Sequence, residues 1–329
     1  MDHSLDLSRW RETPRGVGYR RWSIVAAGLR QLLQTRQFKF LLAIAWSGGF
    51  AIALAGFAFS QSVASGGLVE TYAANLGPRV QAMASALSAF VALYPDICIH
   101  GIFSLIFWLH SFAGLWLSLF ALTLVVPQLI TRDRASNALT VYLSRPLTTT
   151  DYLLGKLGVV IGVLALLWTG PLLAGWGVSM LFAPDRDFIV YSFEPLLRAL
   201  TFHGVALVAL PAIALGVSSL GRAVRVTTMI WMFLWLIAGF AAQPPRAPDW
   251  LKRASFTYDL NEVRQQVFRV DHVFADAAAK LPLLSPDFVR TLNRAGTRTA
   301  AANPRGAFGA LAVFVVLSSF VFFRKLRPE

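Results

Sequence analysis

The stretch PQLITRDRASNALTVYLSRPLTTTDYLLGK, residues 127–156, separates two apolar runs, 101–130 and 152–182, each long enough to cross a bilayer. Crossing the hydrocarbon core takes about 20 apolar residues, and a charge at a helix centre costs roughly 2.5–3.5 kcal/mol on insertion scales. A segment carrying Arg132, Asp133, Arg134, Arg145, Asp151 and Lys156 therefore belongs in water. The apolar runs on either side belong in lipid, because a chain of 329 residues that is 56% hydrophobic and 14% charged, with 25 Phe and 10 Trp, cannot hide that surface in a soluble core.

Working outward from this segment, six windows of suitable length lack charge in their centres: 40–60, 101–130, 152–182, 196–220, 226–243 and 307–323. The spacing predicts an all-α, polytopic integral membrane protein with about six transmembrane helices, an N-terminal interfacial helix, and a helical extracytoplasmic segment between helices five and six. The chain divides into a tail and amphipathic helix (1–39), helices one to five (40–243, interrupted by the polar segment 131–151), an extracytoplasmic part (244–306), and helix six with a basic tail (307–329). The net charge of +13 follows this layout rather than one soluble face, which argues against nucleic acid. With the N-terminus inside, 17 Lys or Arg fall in cytoplasmic segments and three, Arg79, Arg186 and Arg198, in the shorter outer loops. The other ten lie in 244–306 beside six acidic residues, where length largely exempts a loop from the positive-inside bias. Both termini are thus expected in the cytoplasm, with no removable signal peptide ahead of the first span. The single Cys98 rules out an intramolecular disulfide or a multi-cysteine metal site.

Within the N-terminal part, residues 22–39 read as an amphipathic helix on the inner interface, the alternative being a soluble helical leader. Span one carries Ala45, Gly49 and Ala53 at four-residue spacing, with Gly56 nearby, a stripe suited to close approach by another helix of the same chain. Residues 80–94 are too short to cross and read as a helix at the outer interface. Span three opens on Gly155, Gly158 and Gly162 and meets a proline at Pro171, where a kink is expected. Spans four and five form a tight hairpin around residues 221–225. In the outer segment, Asp259 and Glu262 fit a capping pattern, followed by Val263, Val267, Val270, Phe274, Ala277 and Leu281 at helical spacing, and a second short helix opens at Ser285 and Pro286.

No phosphate-cradling motif is present: Gly155-Lys156 is followed by Leu157, and no glycine stands five residues before Gly155. Zinc-helix and hydrolase-elbow signatures are missing as well, so no catalytic, cofactor or metal residue is assigned. Asp96 and His100 stand one helical turn apart and are read as an interfacial pair. His110 and His203 lie deeper and are read as neutral groups satisfied by neighbouring helices. The span cores otherwise lack Asp, Glu, Lys and Arg, which argues against coupling to protons or cations.

One segment combines several specific features. Arg132-Asp133-Arg134 leaves span two, Tyr142-Leu143-Ser144-Arg145-Pro146 follows, and Leu153-Leu154-Gly155-Lys156 opens span three. In this order the segment resembles the cytoplasmic coupling segment of type-2 ATP-binding-cassette exporter permeases. It departs from them at Asp133, where Glu is usual, and at Asn137-Ala138, where a Gly-Thr pair is common. The resemblance implies a non-catalytic permease subunit that moves substrate with ATP hydrolysed by a separate subunit. It implies cytoplasmic ATPase partners and a second copy or a homologue of this chain, in a bacterial inner membrane. It also implies that Arg132, Asp133, Arg134, Asn137, Leu139, Tyr142, Leu143, Arg145 and Pro146 engage the ATPase, the charged groups through hydrogen bonds and Leu139, Tyr142 and Leu143 as an apolar anchor. Two rival readings stay open: an ion-coupled secondary transporter, and an ATP-driven mechanotransmitter or scaffold whose outer helices act on an extracytoplasmic partner. Apolar spans are what lipid contact requires, so they select no substrate among lipids, drugs, peptides and glycan precursors.

Overall fold

The computed structural model describes residues 16–63, 67–136, 148–221, 223–244, 246–273, 275 and 304–325. Among them there is no strand, and six helices are long and apolar enough to cross a membrane, so the chain is an all-α integral membrane protein. In chain order the helices are α1 (Val17–Gln34), α2 (Arg36–Val63), α3 (Leu68–Leu76), α4 (Pro78–Leu93), α5 (Pro95–Leu129), α6 (Thr131–Ala135), α7 (Thr149–Met180), α8 (Arg186–Leu220), α9 (Val224–Ala242), α10 (Asp249–Arg253), α11 (Phe256–Phe268) and α12 (Pro304–Lys325). The six spans are α2, α5, α7, α8, α9 and α12; α8 ends at Leu220 and α9 begins at Val224, the short connection expected of a hairpin.

The N-terminal helix departs from the sequence reading. It stops at Gln34, where Thr35 takes an extended backbone and its hydroxyl donates to the Leu32 carbonyl, so Arg36 and Lys39 already belong to the first span. Its apolar face does not simply rest on lipid. Ile24, Val25 and Leu29 seat on the ridge formed by Gly155, Gly158 and Gly162, where a β-carbon would meet them at 2.6–2.9 Å. The glycines that open α7 therefore serve to bring α1 against it. Farther along, the small residues of α2 pack within the chain against the outer half of α7: Gly49 faces Pro171 and Gly175, and Gly56 faces Ser179.

At the proline of span three the helix changes its hydrogen-bonding pattern. Pro171 has no N–H for the Leu167 carbonyl, and residues Ala165–Thr169 widen into one π-helical turn just before it. A second π-turn, Phe233–Ile237, sits in α9 and aims Trp235 at the rings of Trp116 and Phe120. Outside the spans, the stretch between α2 and α5 forms two short helices rather than one, separated at Gly77, whose φ of 113° suits only glycine.

The outer segment differs most. The helix expected from the Asp259/Glu262 pattern, α11, follows the short α10 and begins a turn earlier than that pattern implied, because Ser255 is the N-cap and accepts from the Tyr258 N–H. The helix also ends earlier, at Phe268, where Arg269 adopts the left-handed conformation. Nor does α11 hang outside the bundle. Phe256 packs between Trp231 and Phe314, Phe268 packs on Phe202, and Leu260 and Val263 are fully buried among spans two, four, five and six. The second outer helix, expected from Ser285, lies outside the described residues.

Candidate functional site

The polar segment between α5 and α7 is fastened at both ends. At its outgoing end the helix breaks at Ile130, which exposes backbone N–H groups in a buried place. Ser218 of α8 satisfies them, its hydroxyl accepting from the N–H of Ile130 (2.9 Å) and of Thr131 (3.3 Å). The Thr131 hydroxyl returns a bond to the Ser218 carbonyl (2.7 Å) and lies 2.9 Å from the Thr227 hydroxyl of α9. Three small hydroxylated side chains, Thr131, Ser218 and Thr227, thus tie spans two, four and five at one level. Arg134 adds to the joint by donating to the Ser219 carbonyl (2.9 Å).

The incoming end is organised by Thr148. Its hydroxyl accepts from the Asp151 N–H (3.1 Å) and donates to Asp151 Oδ2 (2.7 Å), an N-terminal cap that starts α7 with a carboxylate in its first turn. Asp151 also takes the Arg21 guanidinium at 2.6 Å, which pins α1 to the start of span three. The two ends of the segment then meet each other: Lys156 Nζ lies 2.7 Å from Asp133 Oδ2, and the Tyr152 hydroxyl donates to the same oxygen (2.7 Å). Asp133 and Lys156 keep only 16% and 15% of their side-chain surface, so this ion pair is mostly shielded from water.

Of the nine residues expected to engage a partner, the described residues include three. Asp133 and Arg134 are committed to bonds inside the chain, whereas Arg132 is exposed. Asn137, Leu139, Tyr142, Leu143, Arg145 and Pro146 lie outside the described residues. Sequence reasoning missed the roles of Thr131, Tyr152, Lys156, Ser218 and Thr227. Opposite charges at Asp133 and Lys156 flanking the segment were the available signal for the ion pair. Nothing in the sequence marked Ser218 as the acceptor for a broken helix in another span.

The deeper histidines are satisfied, as read. His110 donates through Nε2 to the Trp168 carbonyl in the π-turn (3.2 Å), and His203 lies between the hydroxyls of Ser111 (3.4 Å) and Thr169 (3.2 Å). Asp96 and His100 share a cavity of about 670 Å³ but not a bond; His100 Nε2 instead lies 3.5 Å from Glu194 Oε2. Glu194 also holds Arg198 (2.6 Å), which donates in turn to the Phe268 carbonyl (2.9 Å) and so links α8 to the end of α11. Among the described residues no group of three or more His, Cys, Asp or Glu is placed to hold a metal.

Searched against models of protein families and against curated proteins, the chain matches none. The functional reading therefore stands on the residues and on their arrangement.

Proposed function

We propose that this chain is the membrane-spanning permease subunit of an ATP-binding-cassette exporter of the type-2 class, driven by ATP hydrolysed in a separate cytoplasmic subunit. The observation that carries the reading is how the polar segment is mounted. A connector that receives force must pass it on, and here Ser218, Thr227 and Ser219 bind one end to spans four and five while Lys156 and Tyr152 close it onto span three. Force delivered to these fastened ends would reach four spans together. The motif order around Arg132–Arg134 and Leu153–Lys156 supplies the second support. The membrane is the bacterial inner membrane in this reading, and the chain pairs with a second copy or a homologue.

Copurification tests the partnership. Leu143→Asp should insert and fold normally, yet recover the cytoplasmic ATPase at least ten-fold less well at equal membrane abundance, since a charge replaces an apolar anchor. Equal recovery from both membranes would make the segment a solvated connector and remove the reading's main support. Reversing charge at Asp133 and Arg134 is a poorer probe, because both groups have intramolecular partners and their loss loosens the joint itself.

The same reading places both termini and the polar segment in the cytoplasm and α11 on the opposite side. In a chain whose Cys98 is replaced by Ser, cysteines introduced singly at the exposed positions Ser136 and His272 should react with an impermeant reagent from opposite faces of the membrane. Labelling from one face would overturn the orientation.

A further inference from the structure

A cavity of about 490 Å³, within the range of small-ligand sites, opens between α1, the end of α5 and the start of α7. Its walls are of two kinds. Ala27 and Leu32 of α1, Val125 and Leu129 of α5, and Val159 of α7 make an apolar side. Arg132, Asp133 and Lys156 make the other, with a net charge of +1. Arg132 is exposed, and its guanidinium makes no hydrogen bond or ion pair among the described residues; Lys156 is shared with Asp133.

The position of the cavity narrows the occupant. Helix α1 is amphipathic, with Trp22 62% exposed, the placement of an aromatic anchor at a membrane interface, and the spans adjoining the cavity carry lipid-facing apolar surface. A ligand that fits must reach this level from the bilayer, offer chains to the apolar wall and bring a negative head to the cations. Basic pockets between spans at the membrane edge have that selectivity.

We propose that this cavity binds an anionic glycerophospholipid, its phosphate between Arg132 and Lys156 and the first part of its chains against Ala27, Leu32 and Val159. The bound phosphate competes with Asp133 for Lys156 and so loosens the closure at which the polar segment joins span three. Lipid composition thereby sets how tightly that segment is held. The inference needs only a membrane-inserted chain and does not depend on the ATPase reading.

The test uses the full chain in phosphatidylcholine nanodiscs doped with a photoactivatable phosphatidylglycerol, with crosslinked peptides mapped by mass spectrometry. Crosslinks are expected on α1 and on the first turns of α7, suppressed by excess phosphatidylglycerol but not by phosphatidylcholine or inorganic phosphate. Arg132→Gln should lower the yield about five-fold, the factor that one cation near an anionic leaflet is worth. Ala27→Phe, at an exposed position, fills the apolar side without touching a charge and should lower the yield comparably. Arg30→Gln, which removes an exposed cation of α1 outside the cavity, should leave the yield unchanged. Equal competition by phosphatidylcholine, or equal yields from Arg132→Gln and Arg30→Gln, would overturn the site. Competition by inorganic phosphate would reassign it to a soluble anion and overturn the lipid.

Discussion

Arg253→Met is expected to destabilise the folded chain by about 3 kcal/mol, read as a lowered unfolding midpoint in detergent by tryptophan fluorescence. Arg253 is the shared cation of two carboxylates on α11, donating to Asp259 Oδ1 (2.7 Å) and to Glu262 Oε2 (2.6 Å). Asp259 is fully buried and Glu262 nearly so. Removing one member of such a cluster leaves charge without compensation, which costs ~3–5 kcal/mol; the low end applies because Arg253 itself keeps 30% of its side-chain surface. Replacement by lysine, which retains the charge but not the fork, should recover part of the loss.

The same cluster gives a pH dependence with a definite sign. Burial pushes the Asp259 carboxyl up to about 7, against the pull of Arg253, from an ordinary value of 3.8. Between these limits the folded chain holds a proton that the unfolded chain has released, so this group's contribution to stability falls as pH rises from about 4 to about 7 and is flat above. Glu262 keeps hold of the guanidinium when Asp259 is neutral. Asp259→Asn should therefore flatten the difference in midpoint between pH 5 and pH 8. A pH response unchanged by that substitution would place the titrating group elsewhere.

These charges show what the sequence concealed. The apolar windows located all six spans to within a helical turn or two at most ends, because a span advertises itself by length and lack of charge. Helix α11 carries Asp259, Glu262 and Arg264, and by the same criterion it reads as an outer, solvated element. In the structure Arg264 is buried: it donates to the Trp108 carbonyl (3.0 Å), lies 4.5 Å from the Trp108 ring and 4.9 Å from that of Phe112, and is lowered to about 10 by burial. A cation reads as exposed when its aromatic and carbonyl partners stand more than 150 residues away, and periodicity has no access to such partners. The candidate site divides in the same way. The run of charges between spans two and three was legible as a water-facing segment, whereas its fastening to Ser218 and Thr227 depends on the packing of spans four and five. Legibility also failed for the glycines of α7, which the sequence placed at the opening of span three without showing that α1 packs on them.

Gly175→Ala is expected to lower stability, whereas Gly177→Ala, two residues along the same helix, is not. Alanine is favoured over glycine in a helix interior by roughly 0.5–1 kcal/mol, and nothing lies within 4 Å of a β-carbon at Gly177, so that substitution should raise the unfolding midpoint or leave it unchanged. At Gly175 the added carbon runs into the Gly49 carbonyl oxygen and meets Ile52 Cβ at 2.9 Å. A flexible side chain could swing aside, but the first obstacle is backbone. The reciprocal position is equally tight: a β-carbon on Gly49 would lie 2.6 Å from the Pro171 carbonyl oxygen and 3.0 Å from its Cα. Helices α2 and α7 would have to separate, and the Ser179 hydroxyl, which reaches the Ile52 carbonyl at 3.3 Å, would lose its place with them. Forcing volume into a contact of this kind costs ~1–3 kcal/mol and more where backbone must move, which exceeds the propensity gain. Because α1 and the start of the polar segment are also seated on α7, separation should further show as protease sensitivity near Thr148, a signal that Gly177→Ala should not produce. Matching stabilities for the two variants would mean that α2 does not pack against α7 through its glycines, and the small-residue stripe of span one would then face lipid or another subunit.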